Sequence, residues 1–316
     1  MLNFTVGPVM MDEETMRLGA DPVPYFRTEE FSAVMFENER LLCKFAGAVK
    51  KGRVAFLTGS GTAAMEASVL NFFSKKDKIL VVNGGSFGER FVQICSVLSL
   101  DCTEIKLSVG AVLTEEILQQ YADKGYTALV MQHHETSTGV LYDLYMAGKF
   151  CRKNNMFLLV DCISSFLAEE LDMADMDVDA VIIGSQKAIA LPPGISAVIM
   201  NESAVKKIES NEVPSLYFDL KSYLKDGERG QTPFTPAVGI LLHLNDRLRR
   251  IEKSGGAKFL VAEVRRRAEY FRESIKDMPF RLVTQSPAHA VTALYSGNID
   301  AKLLFEKMKE NHRIWI

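Results

Sequence analysis

Three groups in this chain have the types and positions needed for amine and carbonyl chemistry, and each follows a run of apolar residues. Lys187 ends the run Asp179-Ala-Val-Ile-Ile-Gly-Ser-Gln-Lys187. Residues 180–183 read as a buried strand. The lysine therefore stands at a strand's C-terminal lip, the edge where open α/β sheets bind ligands. An amine there is either a solvated surface charge or a nucleophile that forms a Schiff base with an aldehyde cofactor. Asp161 ends a second apolar run, residues 157–160. It either caps a turn or holds the proton of a cofactor's ring nitrogen. The third group is Thr58-Gly-Ser-Gly-Thr62, which leads from a strand into an Ala-rich helix. Unpaired N–H groups at a helix start, with the helix dipole behind them, make a cup for phosphate. Taken alone, the same four residues also describe an ordinary strand-to-helix turn. Cup, carboxylate and amine in this order, each at a strand end, are more specific together than any one of them.

Further segments match one family in register. They are Phe4-Thr-Val-Gly-Pro8, the cup at 58–67, Asn83-Gly-Gly-Ser-Phe-Gly-Glu-Arg90 and His134-Glu-Thr-Ser-Thr-Gly139, then Val160-Asp161, Ser185-Gln-Lys187, Pro193-Gly194 and Thr232-Pro-Phe-Thr-Pro236. Over essentially its whole length the chain resembles the class V aminotransferases, fold-type-I enzymes that use pyridoxal 5'-phosphate (PLP). Within that family it looks nearest to the 2-aminoethylphosphonate–pyruvate and alanine–glyoxylate (serine–pyruvate) branches, and Ser215-Leu-Tyr-Phe-Asp-Leu220 leans toward the former. The resemblance implies a PLP-dependent transaminase that takes an amino group from a small-molecule amino donor to a 2-oxo acid such as pyruvate or glyoxylate, in ping-pong fashion.

The resemblance also assigns roles residue by residue. Lys187 would hold the cofactor covalently and, once freed, act as the general acid–base group. Asp161 would pair with the protonated pyridine nitrogen. Phe87 matches the position of the aromatic on one ring face, and it is equally readable as a core residue of an amphipathic helix. Ile163 would pack on the other face. Thr136 matches the hydrogen-bonding residue near the phenolic oxygen or phosphate, with Glu135 beside it either orienting the site or fixing the loop. Ser60, Gly61, Thr62 and Gln186 would contact the phosphate. Thr232 or Thr235 would reach from a neighbouring subunit, which implies a homodimer with two shared sites. Gly7 and Val9 would line the substrate entrance.

Substrate carboxylates usually meet an arginine, whose planar fork bonds both oxygens. The family carries that arginine late in its small domain, beyond Ile316, where this chain stops in what reads as the start of a strand. Either the sequence is a fragment or its numbering omits a portion; a protein that ended here would lack the clamp, expose half of its small domain and be weakly active and poorly soluble. Arg27 and Arg90 are expected to serve structure or the dimer interface.

Composition adds boundaries. The chain has 316 residues, 47% of them hydrophobic, enough for a large core and two domains. A net charge of −3 and a pI near 6.0 give no polyanion footprint, so nucleic-acid binding is not expected. No apolar run approaches the length needed to span a membrane, and no signal pattern opens the chain. Five cysteines, with no Cys-x-x-Cys pair, fit a reducing cytoplasm better than disulfides or zinc.

The elements that must position these groups alternate. Strand-like runs fall at 54–57, 79–82, 102–105, 128–132, 157–160, 180–183 and 196–200. Helical patterns fall at 62–73, 87–98, 114–122 and 144–154. Such alternation predicts an α/β fold with a mainly parallel seven-stranded sheet between helices. Helices are expected at 237–252, behind Pro236, and at 258–276, behind Gly255-Gly256. Strands at 281–283 and 290–295, a helix at 301–311 and a final apolar run complete a small, apparently incomplete α+β domain. The division is residues 1–15 as a segment over the site, 16–236 as the PLP-binding domain and 237–316 as linking helix and partial small domain.

Other readings remain. A cysteine desulfurase or lyase of the same fold would use the same cofactor, and a non-catalytic aminotransferase-like module would use the same fold. His133 and His134 are adjacent on a strand and point to opposite faces, so they do not share one metal. Asp172, Asp175, Asp177 and Asp179 lack the glycine and terminal glutamate of a calcium loop and read as a solvated connection.

Overall fold

The computed structural model describes residues 1–48 and 50–316. The chain opens with β1 (Leu2–Asn3), α1 (Glu13–Leu18) and α2 (Glu29–Phe45). Three strand–helix units follow: β2 (Arg53–Thr58) with α3 (Gly61–Phe72), β3 (Lys78–Asn83) with α4 (Ser86–Val97), and β4 (Asp101–Lys106) with α5 (Glu115–Gln119). Next come β5 (Ala128–Gln132), the small hairpin β6 (His134–Glu135) and β7 (Val140–Leu141), and α6 (Leu144–Lys153). The strands β8 (Phe157–Asp161), β9 (Ala180–Gly184) and β10 (Ile195–Met200) finish the main sheet. After it lie α7 (Glu202–Glu209), α8 (Leu220–Gly227), α9 (Val238–Lys253), α10 (Gly256–Ser274), β11 (Arg281–Leu282), β12 (Leu294–Tyr295), α11 (Ala301–His312) and β13 (Ile314–Trp315).

Seven strands pair in the order β2-β10-β9-β8-β5-β3-β4. All neighbours are parallel except β10, which runs antiparallel to both β2 and β9. The expected mainly parallel sheet is thus a mixed one with a single reversed strand. Six of the strands are apolar runs buried almost throughout, as a sheet covered on both faces requires. β4, Asp-Cys-Thr-Glu-Ile-Lys, is the polar exception, and it lies at an edge, where charged side chains discourage further pairing.

Side chains alternate across each strand, so one sheet supports two cores. Phe56, Leu80, Leu129, Leu158, Val181 and Ile199 join α2, α6 and α9 on one face. Leu57, Val81, Val130, Leu159, Ile182 and Val198 join α3, α4, α7 and α8 on the other. Each of these side chains contributes about 1.5–3 kcal/mol by leaving water, so the sheet is held from both faces.

The seven expected strands all form, within a residue of their expected bounds. The helix expected at 114–122 closes at Gln119, and the strand expected at 290–295 is reduced to Leu294–Tyr295. Four helices had not been expected. α2 begins where the Thr28 side chain accepts from the amide of Phe31, α7 where Asn201 accepts from Ala204. α1 and α8 start in the same way, on Asp12 and Asp219. α9 carries Val238, Leu241, Leu244, Leu248 and Ile251 into the first core. α10 buries only Ala268, and no residue of α11 is buried. β13 pairs in parallel with β1, and residues 286–288 dock on the β6–β7 hairpin through Leu141 and Gly139.

Candidate active site

Strand direction brings the three predicted groups to one edge. β9 is parallel to β8, and β10 is reversed against both β9 and β2, so β2, β8 and β9 all end on the same side. Asp161 is the last residue of β8. Lys187 lies three residues beyond β9, and Ser60 caps α3 just after β2.

Lys187 is half-buried, and its Nζ donates to the carbonyl oxygen of Val6 at 2.5 Å. A Cβ on Gly7 would stand 2.9 Å from both Cδ and Nζ of Lys187, so only glycine admits this approach. The same segment is tied down where the Val9 amide donates to the Gln186 carbonyl at 3.1 Å. Desolvation lowers the proton affinity of the Lys187 amine, and the negative charge of Asp161 works against that. Asp161 is buried, and one Oδ accepts from the Ile163 amide at 2.8 Å. Burial pushes its carboxyl up to about 7; the Ile163 amide pulls it down, and Glu135 adds to the rise.

At the cup, Ser60 is the N-cap of α3, and its side chain makes no capping bond. The hydroxyl is therefore not spent on the helix, and the amides of Gly61 and Thr62, at the first two helical positions, have no acceptor one turn back. A Cβ on Gly61 would fall 2.3 Å from Cδ1 of Ile163, which places Ile163 directly under the helix start. Thr62 Oγ1 accepts from Arg90 at 3.1 Å, and the same guanidinium lies 5.0 Å from the centre of the Phe87 ring. Arg90 thus touches two of the expected site residues; its position three residues after Phe87, one helical turn, carries it there. Phe87 is half-buried at the first turn of α4 and is not a core residue.

Thr136 is buried and donates to Ser164 Oγ at 2.6 Å. Ser164 was not anticipated, because nothing local in the sequence marks a partner 28 residues away. Gln186 is half-buried, with Oε1 folded back toward Gly184. Thr232 is buried, with its hydroxyl on the Phe234 carbonyl at 2.7 Å, while Thr235 is exposed. Arg27 donates to the Gln231 side chain and the Thr232 carbonyl, a structural use.

His133 and His134 are both buried, and burial pushes each down to about 4, which keeps the rings neutral. Neither ring nitrogen of His134 has a protein partner. No cluster that could hold a metal ion occurs among the described residues. Asp172 caps its own turn through the amides of Ala174 and Asp175, and Asp179 accepts from the Leu158 amide, so the acidic connection is structural.

The donor set suits PLP. A phosphate fits an uncapped helix start flanked by hydroxyls and Arg90. A protonated ring nitrogen would supply the positive partner that buried Asp161 lacks. Gly61 lets Ile163 pack against the helix start, where a Cβ would collide with it.

The chain belongs to the class V aminotransferase family, whose model matches residues 25–316, and it is a transaminase. PLP is the cofactor this membership implies. An uncharacterized aminotransferase of Helicobacter pylori is 31% identical over 99% of this chain and 84% of its own length. The L-aspartate–glyoxylate aminotransferase of Paracoccus denitrificans is 29% identical over 94% of this chain and 75% of its own. Among solved structures, an aspartate aminotransferase of subgroup IV from Thermus thermophilus superposes with a TM-score of 0.93 at 28% identity, covering 100% of this chain and 88% of that one.

Proposed function

We propose that this transaminase moves an amino group from a small donor, of the alanine, serine or 2-aminoethylphosphonate type, to a 2-oxo acid such as pyruvate or glyoxylate, using PLP held at Lys187. The observation that carries the reading is the convergence of a desolvated lysine, a buried aspartate and an uncapped helix start on one sheet edge. The glyoxylate specificity in the name of the Paracoccus relative supports the acceptor class.

When bound, PLP supplies an aldehyde that condenses with amines and an electron-poor ring that stabilises negative charge on the neighbouring carbon. Lys187 would anchor it and, once its amine is released by the incoming donor, that amine, beside the Val6 carbonyl, would take the proton from the donor's Cα and return one on the acceptor side. Desolvation favours the neutral amine that this work requires. Asp161 keeps a proton on the ring nitrogen. Ser60, Gly61, Thr62 and Gln186 hold the phosphate, Phe87 and Ile163 cover the two ring faces, and Thr136 bonds the phenolic side. We assign residues 1–15 to the wall over Lys187, 16–236 to cofactor binding and 237–316 to the linking helix and small domain.

A homodimer in the cytoplasm is part of the proposal. Thr232 spends its hydroxyl within its own chain, so Thr235, exposed, is the residue free to reach a neighbouring cup. All five cysteines are free, in keeping with a reducing compartment, and no helix among the described residues is long and apolar enough to cross a membrane.

The test is a screen of single amino donors against pyruvate and glyoxylate with PLP-loaded protein, following both the new amino acid and the new oxo acid. Paired formation of the two supports the reading. Sulfide release from cysteine with no amino transfer to any acceptor overturns it.

A further inference from the structure

We propose that Glu135 is a positioning residue: its buried carboxylate clamps the start of α4 to the 135–137 loop and so fixes the Phe87 ring and the Thr136 hydroxyl relative to each other across the cofactor site. The proposal rests on the PLP reading above.

Glu135 is fully buried. A buried carboxylate without compensation is costly, and it persists where hydrogen bonds or opposite charge stabilise it. None of the salt bridges among the described residues includes Glu135. Its compensation is a ring of neutral donors. Oε2 accepts from the amides of Phe87 at 3.1 Å and Gly88 at 3.0 Å. Oε1 accepts from the amide of Ser137 at 3.2 Å and from its hydroxyl at 2.6 Å. The Ser137 hydroxyl in turn accepts from the Ser86 amide at 2.9 Å.

Two features separate this from routine helix capping. The N-cap residue of α4 is Gly85, which has no side chain to cap with, so the capping group comes from another element, 48 residues away from Phe87. Gly85 is also what lets that group in: a Cβ there would stand 2.7 Å from Cδ of Glu135 and 2.3 Å from the Ser137 hydroxyl. The clamp, moreover, ends on site residues at both sides. Phe87 supplies one of the captured amides. Thr136 lies between the two residues that form the other jaw, and its own hydroxyl is held by Ser164. Movement of α4 relative to the loop would change the spacing between the aromatic platform and the Thr136 hydroxyl together. Glutamate suits the task because a charged acceptor makes stronger bonds to N–H groups than a neutral one.

Replacement by glutamine keeps the volume but turns an NH2 group toward two amide hydrogens. The experiment measures the apparent Kd for PLP and the melting temperature of the cofactor-free protein for wild type, Glu135→Gln, Phe87→Ala and the double variant. Glu135→Gln is expected to weaken PLP binding roughly tenfold, one or two charge-assisted hydrogen bonds' worth. In the Phe87→Ala background the same change should cost less than about threefold, since the effect runs through that ring. An unchanged Kd in Glu135→Gln, with or without a lower melting temperature, overturns the proposal, as does full additivity with Phe87→Ala. Ser137→Ala, which removes one donor to Glu135 and the acceptor of the Ser86 amide but keeps the carboxylate, covers the case in which Glu135→Gln does not fold. It should weaken PLP binding a few-fold at unchanged melting temperature, and wild-type affinity would overturn the proposal. Failure of wild type itself to bind PLP overturns the functional reading and this inference with it, whereas wild-type binding with normal Glu135→Gln affinity overturns only the inference.

Discussion

Lys187 and Val6 lie 181 residues apart and meet directly, amine to backbone carbonyl. The contact makes the N-terminal segment part of the wall around the Lys187 amine. It depends on Gly7, whose φ of +131° is one that L side chains rarely adopt and whose missing Cβ leaves room for the lysine stem.

Removal of the amine and displacement of this wall should give different results. Lys187→Ala is expected to abolish both the visible absorbance of bound PLP and amino transfer. Gly7→Ala should retain absorbance but lose up to roughly 100-fold in kcat/KM, the cost of a misplacement near 1 Å. Absorbance spectra and steady-state kinetics decide both, and wild-type kinetics in Gly7→Ala would remove the segment from the mechanism.

Thr232 and Thr235 should divide in the same manner. Thr232→Val loses a buried hydrogen bond to the Phe234 carbonyl and should cost about 1 kcal/mol in urea unfolding. Thr235→Val, at an exposed position, should change stability by less than about 0.5 kcal/mol yet, if the proposed dimer forms, weaken PLP binding. Equal PLP affinity in Thr235→Val and wild type would take that residue out of the site.

Asp161 sets a pH dependence in cofactor-free protein. Its carboxyl titrates near 3.8 when unfolded and is pushed up to about 7 in the fold, chiefly by burial. Between these values the native state holds a proton that the unfolded chain has released, so this group's contribution to stability falls as pH rises from about 4 to about 7. Asp161→Asn should flatten that slope and raise cofactor-free stability at pH 8 by up to a few kcal/mol, while abolishing turnover. Chemical denaturation across pH, with and without PLP, checks both parts. A slope unaltered by the substitution would show that another group is responsible.

Glu169 shows the opposite sign. Burial alone would raise its carboxyl, but hydrogen bonds from the ring and amide of His289 outweigh that and hold it below the ordinary value of 4.5. The contribution is present above that value and lost as pH falls through the lowered one. Glu169→Ala leaves the His289 amide without its acceptor and should cost about 1–3 kcal/mol. Hydrogen exchange at residues 286–288, which dock on β6–β7, is expected to rise; protection equal to wild type would show that the docking does not need this pair.

The sheet was legible because its strands are nearly continuous apolar runs bounded by polar turns. α2 carried comparable signals, with Thr28, Glu29 and Glu30 at its start and Phe31, Met35, Leu41, Leu42 and Phe45 buried along one side. Its polar residues, six of them charged, interrupt the alternation that marks strands and mask that stripe. The reversal of β10 left no mark, since a buried antiparallel strand has the same composition as a parallel one. At the site, side chains whose chemistry is in their type, Lys187 and Asp161, could be found from sequence. The Val6 carbonyl could not, because every residue has one, and the Thr136–Ser164 contact exists only after β8 is paired with β5.

Because β10 runs against its neighbours, no strand-to-helix turn intervenes between the α3 cup and Lys187; only the approach through residues 192–194 crosses there, where the Gly194 carbonyl accepts from Gly59. Two inter-strand spacings, roughly 10 Å, separate the ends of β2 and β9. On the proposed reading the gap would work as a ruler: a molecule long enough to lie from one strand end to the other would engage anion cup and amine together, and a shorter one would reach only one of them.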